Sequence, residues 1–96
     1  MAAYTIAQLL IHDRGLYERY VARVAETFVD FDAEVMVADD HPESVEGDWR
    51  CDRVVVIRFC NKQEAIRWST SAAYRKIAGL RRAATTTTAV VVEGLS

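Results

Sequence analysis

From Tyr4 to Ile11 the chain is apolar and rich in strand formers, with Gln8 the one polar intrusion, and this predicts a β-strand. His12-Asp13-Arg14-Gly15 interrupts the run. Asp13 is placed as an N-cap, because its carboxylate can accept the orphan amide hydrogens of a first helical turn. Beyond Leu16 the period changes. Tyr17, Tyr20, Val21, Val24, Phe28 and Phe31 recur at steps of three, one, three, four and three, which marks one face of an amphipathic helix over about 14–30. Glu18, Arg19, Arg23 and Glu26 fall on its other side.

The second half repeats the theme. Glu34–Ala38 predicts a strand, Asp39-Asp40-His41-Pro42 a turn, and Ser44-Val45-Glu46 a short extended piece. Gly47-Asp48 turns the chain into Asp52–Cys60, the longest and most apolar strand. Asn61 and Glu64 then fit a capping box ahead of a helix over Lys62–Ser69. A further helical segment over about 72–83 carries Tyr74, Ile77 and Leu80 inward, and Thr85–Val92 closes as a strand, since threonine suits the pleat. The order β-α-β-β-α-β predicts a single α+β domain over 1–96, a ferredoxin-like sandwich with an antiparallel sheet and the helices on one face.

The helices can shield only one face of that sheet. Leu9-Leu10-Ile11, Val54-Val55-Val56-Ile57 and Val90-Val91-Val92 are nevertheless apolar at consecutive positions, and consecutive residues point to opposite faces. The uncovered face is therefore expected to be apolar over more than the few hundred Å² a monomer usually exposes. A second copy of the chain, sheet against sheet, is the expected cover, giving a homodimer.

Composition adds mainly exclusions. Twelve basic and fourteen acidic residues leave a net charge of −2, mixed along the chain without a polybasic block, so neither nucleic acid nor membrane is an expected partner. No apolar run approaches the roughly 20 residues of a membrane span, and no signal-type segment opens the chain; a cytoplasmic location is the expectation. Cys51 and Cys60 bracket one strand at an odd separation, on opposite faces, and read as free thiols. They lack zinc spacing, and with no P-loop, dinucleotide fingerprint or metal cluster, no metal or cofactor is expected.

A family pattern accompanies these elements. Tyr4 to Ile11, Asp13 with Tyr17 and Tyr20, Glu46-Gly47-Asp48-Trp49, Arg53 to Phe59, Trp68 with Ser71, Tyr74 and Arg81, and the closing Val92-Glu93-Gly94 together resemble the family called domain of unknown function 1330. The resemblance covers nearly the whole chain. It implies a bacterial, dimeric α+β barrel of ferredoxin-like subunits without an assigned activity, in a superfamily that includes small cofactor-independent monooxygenases, isomerases and dehydratases. The chain departs from the family pattern at Asp32-Ala33, in the loop Asp39-Asp40-His41-Pro42, at Cys60 and at Ser69.

Several residues are candidates for chemistry. Glu46 beside Trp49 suits a carboxylate with an indole wall in a partly dry cleft, where burial favours the neutral acid and permits general acid/base work. An ion pair with an arginine, and an indole plugging the sheet edge, is the structural alternative. His12, expected at the rim of a pocket between sheet and helix, is a second acid/base candidate, or simply an exposed loop residue. Arg81 suits a clamp on a substrate carboxylate, or merely complements a helix C-terminus. Asp13, Tyr17 and Tyr74, with Trp49, complete the expected ligand wall; the tyrosines fit a plain core equally well. Gln8 and Arg58 interrupt apolar strands and must be paired or wet. Two functions follow. One is a homodimer that binds a small, anionic or aromatic molecule, with cofactor-independent acid/base chemistry by Glu46 or His12. The other is a non-catalytic interaction module whose polar residues only stabilise the dimer.

Overall fold

A computed structural model describes residues 1–95. Strand β1 (Ala3–Ile11) leads to helix α1 (Arg14–Val24), a short 3-10 turn (Ala25–Phe28), β2 (Glu34–Asp39), β3 (Arg53–Phe59), helices α2 (Lys62–Ser69) and α3 (Ala72–Ala84), and β4 (Thr85–Glu93). The sheet has the order β2-β3-β1-β4 with every neighbouring pair antiparallel. This is the ferredoxin-like arrangement expected from the element order.

Local signals set the helix boundaries. Asp13 Oδ1 accepts the Leu16 amide at 3.0 Å, Asn61 Oδ1 accepts that of Glu64 at 2.8 Å, and Ser71 Oγ that of Tyr74 at 3.2 Å. Each starts a helix by satisfying a first-turn donor. The first helix is shorter than its apolar period predicts. Its α-helical part stops at Val24 and tightens into the 3-10 turn. Within that turn the Thr27 hydroxyl donates to the Val24 carbonyl at 2.6 Å, a side-chain bond that competes with the regular ladder.

The extended piece expected at Ser44–Glu46 is not a strand. β2 is the edge of the sheet and already pairs with β3 as far as Asp39 and Val54, so the intervening chain has no ladder to join. It is held by local bonds instead: the His41 amide to Asp39 Oδ1 at 2.8 Å and Ser44 Oγ to the Gly47 carbonyl at 3.4 Å. Gly47 takes φ +82°, the one left-handed backbone among the described residues, which explains glycine at that turn.

Register assigns each strand residue to a face. Ala3, Thr5, Ala7, Leu9 and Ile11 alternate with Tyr4, Ile6, Gln8 and Leu10. The first set meets the helices, together with Val55, Ile57 and Phe59 of β3. Phe59, Trp68, Tyr74, Ile77 and Ala78 belong to that core, with Trp68 packed 5.5 Å from Phe59 and 4.1 Å from Tyr74 between ring centroids. The second set shares the open face with Val54, Val56, Val90 and Val92. Val90 is 52 % exposed and Val37, from β2, is 41 % exposed. Gln8 and Arg58, whose faces the sequence leaves undetermined, both lie on this open side. Arg58 reaches Asp32 at 3.3 Å and Glu34 at 3.7 Å. At the sheet's end the Gly94 amide bonds the Ala2 carbonyl at 2.7 Å, and a Cβ on Gly94 would come within 2.8 Å of the Tyr4 ring.

Candidate functional site

Small residues pave the middle of the helix-covered face. Ala7 lies opposite Ala89 and Val55, Leu9 opposite Thr87, and Thr5 opposite Ile57. Helices resting on such a floor stand clear of it. The result is a cavity of about 570 Å³ between sheet and helices, walled by Tyr17, Tyr20, Val24, Phe28, Trp68 and Tyr74 and furnished with Arg53, Arg81 and Arg82. That volume falls in the range of roughly 300–1,000 Å³ typical of small-molecule sites.

A polar chain runs along the helical wall. Arg81 Nε donates to the Tyr74 hydroxyl at 3.1 Å, and the Tyr74 and Tyr20 hydroxyls are 2.9 Å apart. Tyr20 stacks on Tyr17 with ring centroids 5.7 Å apart, and the Arg53 guanidinium lies 5.6 Å from the Tyr17 ring centre. Two turns of α3 separate Tyr74 from Arg81, and one turn of α1 separates Tyr17 from Tyr20, so both pairs share a helix face. Burial pushes the Tyr17 hydroxyl up against the opposing pull of the Arg53 charge. Burial and the Tyr74 neighbour push Tyr20 up much further. Both phenols therefore stay protonated as hydrogen-bond donors.

Arg53 stands on the core face of β3, in the same parity as Val55, Ile57 and Phe59, with its side chain 15 % exposed. Burial disfavours its charge, yet Asp40 at 3.0 Å and the Tyr17 hydroxyl together hold its pKa above the ordinary value. The hydrogen bond from Arg53, against a smaller burial effect, keeps the Asp40 carboxyl below the usual carboxylate range, and Arg14 adds to it from 3.5 Å. Arg53 Nε is buried without an acceptor among the described residues. No carboxylate, imidazole or thiol lines the cavity among the described residues.

Of the residues singled out from sequence, the structure gathers Tyr17, Tyr74 and Arg81 at this cavity. Asp13 stands apart as the α1 cap. His12 Nε2 lies 2.7 Å from Thr86 Oγ1 at the end of the sheet, away from the cavity lining. Glu46 and Trp49 lie elsewhere too, lining a shallower groove with Val37, Pro42 and Val54 on the open-face side. Sequence reasoning left Arg53 and Tyr20 out of the ligand wall. Arg53 carries a readable signal, because an arginine at the core parity of a strand needs a reason to be there. Tyr20 is one helical turn from Tyr17, and its hydroxyl partner 54 positions away has no local signature.

The family model "Domain of unknown function (DUF1330)" matches residues 2–95. The chain belongs to this family. No curated protein matches it. Solved structures share the fold at low identity. A protein of unknown function from Rhodopseudomonas palustris is 13% identical with a TM-score of 0.82, over 99% of this chain and 83% of its own. A dimeric ferredoxin-like protein of unknown function from a Jannaschia species is 12% identical with a TM-score of 0.74, over 98% of this chain and 100% of its own. SnoaB, a cofactor-independent oxygenase from Streptomyces nogalater, is 14% identical with a TM-score of 0.69, over 99% of this chain and 94% of its own. Within DUF1330 the cavity described above is thus set in a fold shared with at least one enzyme. No helix of the described residues is long and apolar enough to cross a membrane.

Proposed function

We propose that this DUF1330 protein is a homodimer that binds a small aromatic or anionic molecule in the cavity between sheet and helices. The carrying observation is the cavity's lining: aromatic and aliphatic walls with arginines and phenols as the polar groups, and no carboxylate to repel an anion among the described residues. Small-molecule sites are commonly built this way, an apolar enclosure with a few placed polar groups. The dimer is supported by the apolar open face of the sheet and by structural relatives described as dimeric. The likeness to a cofactor-independent oxygenase fits chemistry without a bound cofactor. In the cavity, proton transfer would fall to the tyrosine hydroxyls or to the ligand itself. Glu46, in the groove beside Trp49, and His12, beside Thr86, lie outside this cavity and take no part in this reading.

Thermal denaturation with a panel of aromatic acids and phenols tests the binding reading. A ligand at 100 times its dissociation constant stabilises the folded protein by about 2.7 kcal/mol. Arg81→Met is expected to abolish that shift while moving the unliganded Tm little. If no compound stabilises the protein and Arg81→Met only lowers Tm, the polar chain is structural and the interaction-module reading replaces this one. Light scattering at micromolar concentration tests the assembly, and a clean monomer would remove the dimer.

A further inference from the structure

The hydrogens of the Tyr20–Tyr74 pair do not balance within the protein. The two oxygens are 2.9 Å apart, close enough to share one hydrogen between them. Two phenols carry two hydrogens. Arg81 Nε brings a third, donated to Tyr74 from 3.1 Å. If Tyr74 donates to Tyr20, the Tyr20 hydrogen is left over. If Tyr20 donates to Tyr74, the Tyr74 oxygen accepts twice and its own hydrogen is left over. Neither hydroxyl has another partner among the described residues. Tyr20 is 7 % exposed and Tyr74 is 5 % exposed, so the acceptor open to either is what fills the cavity, water when it is empty and a ligand oxygen when one displaces that water. Both residues line the cavity, which is where the surplus hydrogen finds room.

The surroundings say what would accept it. Arg81 and Arg82 bring positive charge to the same walls with no carboxylate in the lining, whereas the charge of Arg53 is paired with Asp40 at 3.0 Å. Trp68, Phe28, Tyr17 and Tyr20 offer ring faces and edges for a flat molecule. Arg81 has committed its Nε to Tyr74, which closes the side-on fork a carboxylate would prefer. A lone hydroxyl donor suits a single oxygen.

We infer that the cavity takes a planar aromatic molecule bearing an ionised oxygen of the phenolate or enolate type. The Tyr20–Tyr74 pair gives that oxygen its surplus hydrogen bond, with Arg81 behind it. The inference rests on the cavity being a ligand site, and it adds which form of ligand the site selects. Burial, which keeps the Tyr20 hydroxyl protonated to high pH, preserves the donor wherever the ligand is ionised. A cationic, donor-only site lowers the pKa of an acidic ligand, because it stabilises the charged form alone.

The test uses 4-nitrophenol, whose ionised form is coloured, and 4-nitroanisole, its uncharged methyl ether. The bound phenol is expected to ionise at lower pH than the free one. Each single variant, Tyr20→Phe or Tyr74→Phe, leaves one phenolic hydrogen facing the cavity, so each should bind 4-nitrophenolate within a few-fold of the parent. The double variant leaves none and should weaken 4-nitrophenolate roughly tenfold to a hundredfold, the size of a hydrogen bond to a charged group. Its affinity for 4-nitroanisole should stay put. Equal losses for both probes, an unchanged double variant, or an unmoved or raised phenol pKa would each overturn the inference while leaving the cavity a binding site. A parent protein that binds neither probe overturns the binding reading, and this inference with it.

Discussion

The two faces of the sheet are furnished in opposite senses. The helix-covered face, which must supply the subunit's core, carries small residues at its centre: Thr5, Ala7, Thr87 and Ala89. The open face, which nothing in the subunit covers, carries Tyr4, Ile6, Leu10, Val54, Val56, Val90 and Val92, interrupted by Gln8 and Arg58. A subunit built only for its own stability would place its bulk the other way round, since buried apolar area contributes roughly 25 cal/mol per Å². The inversion teaches that each face has a use besides folding. The thinned face leaves room for a guest, and the thick face asks for a lid. Places where sequence and packing economy disagree are where function is to be sought.

The comparison can be broken most forcefully at the packed end of the covered face. Phe59→Ala removes a fully buried ring beside Trp68 and should cost about 3–5 kcal/mol, read as a lowered denaturation midpoint. A loss under about 1 kcal/mol would mean that this end is as loosely filled as the cavity. On the open face, Ile6→Lys places a charge amid valines. It should raise the dissociation constant of the proposed dimer by about a hundredfold or more, seen by sedimentation, while the far-ultraviolet circular dichroism stays native. Unfolding rather than dissociation would show that the open face belongs to the subunit's own core.

Filling the gap sharpens the contrast further. Ala7→Leu adds volume where the floor is thin, so it should raise stability by roughly 0.5–2 kcal/mol and abolish ligand-induced stabilisation together. A destabilised variant that still binds would place the ligand elsewhere. The smallest effect concerns the cavity's ionic edge. Asp40 is held below its unfolded pKa by Arg53, so its contribution to stability is fully present above about pH 4 and is lost as pH falls through the depressed folded value. Asp40→Asn should therefore be the less stable protein at neutral pH by under about 1 kcal/mol, the carboxylate being partly exposed, and the gap should close in acid. A gap that persists at low pH would assign the loss to packing rather than charge.

Much of this is legible in the sequence. The period change at Leu16 and the caps at Asp13 and Asn61 mark element boundaries by local hydrogen-bonding chemistry, and local chemistry is written in adjacent residues; the cap at Ser71 emerges only in the structure. The 3-10 turn was hidden because the apolar period runs through it unbroken, and the Thr27 hydroxyl bond to the Val24 carbonyl that accompanies it leaves no mark in that period. The cavity was hidden for a different reason. Alternate small residues at 5, 7, 87 and 89 look like ordinary strand positions until pairing sets Ala7 against Ala89. Arg81, Tyr17 and Tyr74 stood out as polar or aromatic residues on helix faces. Their meeting with Arg53 depends on how α1 and α3 lie over β3.

The amino-acid order alone determined the four strands and three helices, their succession and the apolar character of both sheet faces, because periodicity and capping act over a few residues, but it missed the 3-10 turn and misread 44–46 as extended. Tertiary structure alone decided which residues share the cavity, that Glu46 and Trp49 sit apart from it, and that one phenolic hydrogen goes unclaimed. Those facts depend on strand register and helix placement, which join positions as distant as Tyr20 and Tyr74 and leave no trace in local spacing.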